Sequence, residues 1–524
     1  MTSRSLKIAA GRASAAAVLA LCAATAAAQP ASAGSYVAIS GSGSTWSAVA
    51  LDQWQQDLRP SGVVVNYNPD GSAAGRADYM ANQDDFAASD PPFRNGHDQL
   101  GGTGAEHPTQ GYSYVPDTAG GTAFMYHIEV AGHLLTNLRL TGLTLMKIFT
   151  GQITNWDDAA ITKDAGQQLP NLPITPVIRS DGSGATFFFT RWMSHVYPTQ
   201  WNAFCKKVRP SVSLPCGQTE FYPLFPGAKS ENGSDNVATY ITASYGNGAI
   251  GYDEYAYALN AHYPVVKLLN PAGYYVLPTA SNVAVALTQA VINETVSSPD
   301  FLQQNLDSVY TYKDPRSYPI SSYSYLIVPR QGTHLPTNFS AAKGKTLSTF
   351  INYLLCAGQR EVAALGYSPL PLNLVKGGLL QVDKIPGHVS ASIGNCPNPT
   401  FTNGVLTLLT TAPQPSPCDK FGEPLNCVVV NGKATKPGAG GTPTPGASAT
   451  GPVPTSAATA PAAGSTGPAA GAPVPVTGQV VLVSASSPNK LLLSVLIAVM
   501  IVIAVIAPPM LGHWLRRRRR QATR

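Results

Sequence analysis

Arg179 closes the run Thr175 to Ile178 and is followed by Ser180, Asp181, Gly182, Ser183 and Gly184, ahead of the phenylalanines Phe187 to Phe189. An arginine ending a buried strand needs a partner, because a buried charge without one is costly. Asp181 can supply it, and a plain ion pair is one reading. The sharper reading is that Asp181 braces the guanidinium while its remaining N–H groups face an oxyanion, since a planar fork binds two oxygens at once. Hydroxyls of Thr45, Ser72 and Ser183, with backbone N–H groups at Trp46 and Gly184, would complete such a shell.

Asp90 is out of place in an anion site unless the anion carries a proton. A carboxylate accepts a hydrogen bond from P–OH and repels a sulfate, which is fully ionised, so one unmatched negative charge would separate the two ligands. A site built around such a bond can reject the analogue lacking it by a factor on the order of 10⁴. The plainer role of Asp90 is to cap the turn before Pro91.

Taken singly, each of these loops is ordinary turn and helix-cap chemistry. Gly41 to Trp46 lacks the lysine and the spacing of a nucleotide-binding P-loop. Gly182-Ser183-Gly184 is no hydrolase elbow, because position 181 is aspartate. The nine histidines show no His-Glu-x-x-His arrangement, and Asp84 with Asp85 reads as a solvated turn. A phosphatase using Ser183 or Thr45 as nucleophile would need a base or a metal cluster beside them, and the sequence offers neither. The expectation is binding without catalysis, metal or cofactor.

The elements that must position these residues alternate. Tyr36 to Ser40 reads as a strand, and Trp46, Ala50, Trp54 and Leu58 then repeat as one helical face. Val63 to Tyr67 is a buried-strand run, Ala73 to Ala81 a short helix and Phe86 to Ser89 the next strand, which is the βαβαβ grammar of a parallel sheet. A second unit runs from Thr175 to Ser180 through a glycine turn into a helix over Phe187 to Met193. In such sheets ligands sit beyond the carboxyl ends of strands, where helix N-termini present free N–H groups. Gly41 to Trp46, Gly71-Ser72, Ser89-Asp90 and Arg179 to Gly184 all fall at those ends.

Eight segments in order resemble the phosphate-binding proteins of phosphate ABC importers, the PstS type: GSGSTWSAVALDQW, VNYNPDGSAAG, FAASDPPF, LMKIFTGQITNWDD, IRSDGSGATFFFT, GNGAIGYDEYAYA, YPISSYSYLIVP and LGYSPLPLNLV, between about Tyr36 and Val375. The resemblance implies an α/β, two-lobed periplasmic-binding-protein-like fold of class II, a Venus flytrap closing on one phosphate. By position it makes Thr45 and Trp46 the first anion-binding turn, Ser72 the second and Asp90 the proton-accepting carboxylate. Arg179, Ser183 and Gly184 become the second lobe's contribution, with Asp181 pairing the arginine. Trp46 stands where the family usually has phenylalanine, and Ala185 where it usually has threonine, which costs one hydroxyl. Asp70, beside Ser72, has no assigned role. Lobe I is expected over residues 34–115 and 278–375, lobe II over 116–277, and a disulfide-containing appendage over 376–432. The implied partners are inorganic phosphate and the permease subunits of an ABC importer, with the chain itself a monomer. A binder of another oxyanion, or a surface sensor without transport, is the alternative.

Charged residues make up only 12% of the chain, and the formal charge is +6. Removing the nine cations at Arg4, Lys7, Arg12, Arg516 to Arg520 and Arg524 leaves the rest at about −3, so a nucleic-acid partner has no basic face to bind. Residues 1–33 have the basic start, apolar stretch and Ala31-Ser32-Ala33 of a signal peptide. Cys22 suggests lipidation, but Leu21 stands where a lipid-attachment box wants a small residue. The run 491–515 is apolar and long enough to cross a bilayer, with a basic cytoplasmic tail at 516–524. A buried core helix is the other reading of that run, though core helices seldom end in five arginines. Residues 433–490, mostly Pro, Ala, Gly, Ser and Thr, form a linker unable to bury a core. Six cysteines remain after cleavage, reading as disulfides with Cys205/Cys216 and Cys418/Cys427 as local loops and Cys356/Cys396 left over. The expected location is the outer face of the cell membrane.

Overall fold

A computed structural model describes the chain over residues 36–435, apart from residues 102, 103 and 333. The chain divides into two compact units, Met1–Gly441 and Thr442–Arg524, and everything below concerns the first. The expected signal peptide, the linker beyond Thr435, the apolar run 491–515 and the basic tail lie outside the described residues. Among the described residues no helix is long and apolar enough to cross a membrane.

In chain order the elements used below are β1 (Ile39–Gly43), α1 (Ala48–Leu58), β2 (Val65–Asn68), α2 (Ser72–Met80), β3 (Phe86–Ser89), β4 (Tyr112–Tyr126), β5 (Thr175–Arg179), α3 (Gly184–Val196), β6 (Lys229–Glu231), α4 (Gly233–Thr242), β7 (Ala249–Glu254), α5 (Tyr255–Ala261), β8 (Ser321–Pro329), α6 (Ala341–Leu355) and α7 (Leu372–Val382). The hydrogen-bonded strand order is β2-β1-β3-β8-β4-β7-β5-β6. One lobe is built on the parallel set β2-β1-β3, the other on the parallel set β7-β5-β6. β8 and β4 run antiparallel between them. β4 belongs to both lobes: through Gly121 it pairs with β8, and from Thr122 with β7. The switch lies downstream of the exit expected near Val115. The result is a two-lobed α/β fold of the periplasmic-binding-protein kind.

The crossover helices follow their sequence pattern. Ala50, Leu51 and Trp54 of α1 are buried, and the Trp54 indole N–H donates to the Gly358 carbonyl at 3.1 Å. Two readings need correction. The first strand runs through the glycine-serine stretch to Gly43 and does not stop at Ser40, because β2 and β3 pair with it on both sides and small residues fit there. A β-carbon on Gly41 would press into the Phe86 ring. Asp85 is not in a solvated turn: it is buried, accepts the Ser40 N–H at 3.0 Å and pairs with Lys343 at 2.8 Å.

Three disulfides join Cys205 to Cys216, Cys356 to Cys396 and Cys418 to Cys427. α7 packs on α6 and β4, so the expected appendage boundary at 375 cuts a core helix. Beyond it the chain is tied to α6 of the first lobe through Cys396, and its short helix Thr407–Thr411 lies against Ala280–Leu287. The chain then reaches a small three-stranded sheet of Arg139–Leu140, Lys267–Leu269 and Tyr275–Val276. Asp419 pairs with Lys267 at 2.8 Å and Arg139 at 3.4 Å, and Phe421 packs near Tyr275. The described chain ends in a hairpin of Val428–Val430 with Lys433–Thr435, which takes in the first residues of the expected linker.

Candidate functional site

The carboxyl ends of β1, β3, β5 and β7 converge, and the side chains they carry meet where the lobes face each other. Arg179, the last residue of β5, is 1% exposed. Its Nε donates to Asp181 Oδ1 at 2.8 Å and its Nη2 to Asp181 Oδ2 at 2.5 Å, the two-point brace that the spacing predicts. Asp181 also accepts the Gly233 N–H at 3.0 Å, which pins the start of α4 beside it. Gly71 has φ +108°, a left-handed conformation that favours glycine, and a β-carbon there would lie 2.7 Å from Asp181 Oδ2.

Arg179 directs its other N–H groups to Thr45 of the opposite lobe and to Ser234 of its own. Nη2 donates to Thr45 Oγ1 at 2.7 Å, and Nη1 to Ser234 Oγ at 3.2 Å. Ser234 Oγ lies 2.7 Å from both Thr45 Oγ1 and Asp253 Oδ1. Two tyrosines hold the backbone of that first turn by its carbonyls: Tyr257 of α5 donates to Thr45 and Tyr367 to Trp46. The Trp46 N–H bonds to Ser44 Oγ at 3.1 Å, and the Trp46 indole packs edge-on against Tyr367.

Asp90 follows β3 and is also 1% exposed. Three hydroxyls from three elements donate to its carboxylate: Ser324 at 2.7 Å, Ser44 at 2.9 Å and Ser72 at 3.0 Å. The N-terminus of α3 stands directly against it. A β-carbon on Gly184 would overlap the Asp90 carboxylate, so only glycine permits this approach. Burial pushes the Asp90 carboxyl up from its ordinary value, while the hydroxyls of Ser324, Ser44 and Ser72 and the charge of Arg179 pull it back.

Of the residues singled out from sequence, Thr45, Arg179 and Asp181 bond in one chain, and Asp90, Ser72 and Gly184 meet in another. Ser183 is buried at the same place, but its hydroxyl caps α3 by accepting the Thr186 N–H at 3.3 Å. Ala185 is buried in the first turn of α3. Asp70 bonds to Asn68 Nδ2 at 3.0 Å and not to this cluster.

Sequence reasoning missed Ser44, Ser234, Ser324 and Asp253. Ser234 had a usable signal, since Gly233-Ser234 opens a helix after a strand in the same way as Gly71-Ser72. Asp253, the penultimate residue of β7, has one oxygen 3.5 Å from Arg179, and burial, opposed by Arg179, raises its carboxyl to about 6.

A further buried acid lies behind the site. Asp117 on β4 accepts the Thr118 N–H at 2.6 Å, and burial first, then the Asp90 charge, pushes its carboxyl up to about 8. A group whose folded value is raised stabilises fully below its unfolded value of 3.8 and loses that contribution as pH rises through about 8. Asp117→Asn is therefore expected to gain on the parent chain by about 1 kcal/mol per pH unit between pH 5 and 8, then level off. Urea unfolding at pH 5, 6.5, 8 and 9 checks this, and a pH-independent difference contradicts it.

Comparison with known proteins places the chain in a family. The chain matches the PBP superfamily domain over residues 25–357. It is 32% identical over 342 residues to the phosphate-binding protein PstS of Xylella fastidiosa strain Temecula1, covering 65% of this chain and 83% of that one. It is 27% identical over 362 residues to the phosphate-binding protein PstS of Methanocaldococcus jannaschii, covering 67% and 87%. Among solved structures, a phosphate-binding protein from Stenotrophomonas maltophilia aligns with 16% identity and a TM-score of 0.46, covering 70% of this chain and 99% of that one. With a domain match over more than half its length and a relative above 30% identity, the chain belongs to the PBP superfamily and, within it, to the PstS family.

Proposed function

We propose that this protein is an extracellular receptor that captures inorganic phosphate and delivers it to an ABC importer, without catalysing a reaction. The observation that carries the reading is the pairing of a braced Arg179 with a hydroxyl-ringed Asp90 in one buried place between the lobes. A guanidinium supplies charge and direction to an oxyanion, and an acceptor beside it selects one that still carries a proton. Thr45, Trp46, Ser72, Asp90, Arg179, Ser183 and Gly184 are the proposed phosphate contacts, with Asp181 bracing Arg179 and Ala185 offering only its backbone N–H. Phosphate oxygens would take the N–H and O–H groups that Arg179, Thr45 and Ser234 direct at one another. Membership of the PstS family supports both the ligand and the permease partner.

The class II flytrap reading assigns residues 34–115 and 278–375 to one lobe and 116–277 to the other. Closure would desolvate the ion, and a permease would distinguish the closed form from the open one. Export by the signal peptide at residues 1–33 and anchoring by the run 491–515, with the linker able to span roughly 150 Å at about 3 Å per residue, rest on sequence alone. Blotting of fractionated cells tests them: intact chain in the membrane fraction supports anchoring, and intact chain in the medium refutes it.

Isothermal titration of the purified protein against phosphate and sulfate tests the central reading. Tight binding of phosphate with sulfate weaker by several orders of magnitude is expected. Equal affinity for both contradicts it.

A further inference from the structure

The residues beside Asp90 are joined across the lobes by a second set of side-chain contacts, made by residues outside the proposed phosphate contacts. Arg76 on α2 is fully buried, and its Nη2 meets both carboxylate oxygens of Glu220 at 2.7 Å. Glu220 is 1% exposed and lies between the helix Pro198–Val208 and β6, in the opposite lobe. Arg76 also holds Glu106 through Nε at 2.8 Å, and Arg94 contacts Glu106 at 2.9 Å and Glu220 at 3.4 Å. Two further bonds cross at the same place: the Thr219 hydroxyl to Asp98 Oδ2 at 2.7 Å and the Glu220 N–H to the same oxygen at 3.2 Å.

This cluster leads back to the site at both ends. Arg76 Nη1 donates to Ser89 Oγ at 2.8 Å, one residue before Asp90. The Glu220 carbonyl accepts the Ser183 N–H at 3.0 Å, one residue before Gly184. A cavity of about 370 Å³ opens beside it, lined by Asp90, Arg94, Asp98, Phe187, Thr219 and Glu220 among others. The cluster therefore forms one wall of the cleft that leads to Asp90.

We infer that Arg76 and Glu220 form an ionic latch between the lobes that stabilises the closed form and so sets how long phosphate stays bound. The inference deepens the receptor reading and rests on it for its ligand. Glu106, on the same lobe, would keep Arg76 paired in an open form, whereas the bonds to Glu220 cross between the lobes and would break on opening. A contact present only after closure acts on the release rate and leaves capture by the open form unchanged. Neither residue is among the proposed phosphate contacts, so both are positioning residues, and selectivity between anions should not depend on them.

Glu220→Gln in the full chain tests the latch. It is expected to raise the phosphate release rate in stopped-flow by about 30-fold, with the association rate within about twofold and the phosphate-to-sulfate ratio unchanged, since removing one partner of a buried pair weakens only the state in which the pair exists. Glu220→Asp, which keeps the charge and shortens the reach, should fall between the two. Spin labels at the exposed residues His107 and Lys207 should report a longer inter-lobe distance in Glu220→Gln without added phosphate. Release rates and distances equal to the parent's overturn the latch. So does a loss of affinity carried equally by association rate and selectivity, which marks a general disturbance of the site. A parent chain that ignores phosphate defeats the receptor reading alone, because the label distance still shows whether Glu220 holds the lobes together.

Discussion

Arg179→Ala is expected to abolish phosphate binding in isothermal titration, a loss of at least about 1,000-fold, because no other cation is described in direct contact with the Thr45, Ser234 and Asp181 cluster. Without the guanidinium, Asp90, Asp181 and Asp253 are left around a phosphate anion with nothing to offset them. The same change should lower the unfolding midpoint, since Asp181 loses its ion-pair partner and Asp253 its nearby positive charge. Arg179→Lys separates the two effects. It keeps the charge and gives up the two-point fork, so it should retain a melting transition near the parent's with binding weakened by about 100-fold. Micromolar or tighter phosphate binding by Arg179→Ala would remove this residue from the site.

Asp90→Asn is expected to have its largest effect on selectivity. On the proposed reading the parent site would exclude sulfate because sulfate brings no proton to the Asp90 carboxylate, and the amide would remove that repulsion while offering an N–H of its own. The ratio of phosphate to sulfate affinity should fall by on the order of 10³ or more, mostly through a gain in sulfate binding. Ser324 and Ser72 donate to different oxygens of Asp90, so in the variant one of them can donate to the amide oxygen and the other can accept from the amide N–H, with Ser44 within reach of both, and the variant should fold. Competition titration of the two anions reads the ratio directly. A variant that loses both ligands in proportion would show that Asp90 holds the loop in place and does not select.

The legible part of this architecture is the part written locally. Phe86 to Ser89 is a strand with the expected bounds, and the Ala50 and Trp54 positions identify the buried face of α1 because helical spacing is an intrinsic property of the segment. Arg179 with Asp181 was visible because its partner lies two residues away. The glycine-serine run from Gly41 to Gly43 reads as a loop, since glycine weakens a strand, and it is extended here only because neighbours pair on both flanks. Ser324 and Asp253 lie 234 and 163 positions from Asp90, so their meeting at one site depends on strand order and leaves no trace in spacing. Asp117 shows the same limit: a single aspartate on an apolar strand carries no mark of the burial and neighbouring charge that hold its proton.

The segment after α7 changes what opening can mean for this receptor. It is cross-linked to one lobe at Cys396 and ion-paired to the other at Asp419. A hinge spanned by such a brace has a shorter arc than two lobes joined by strands alone.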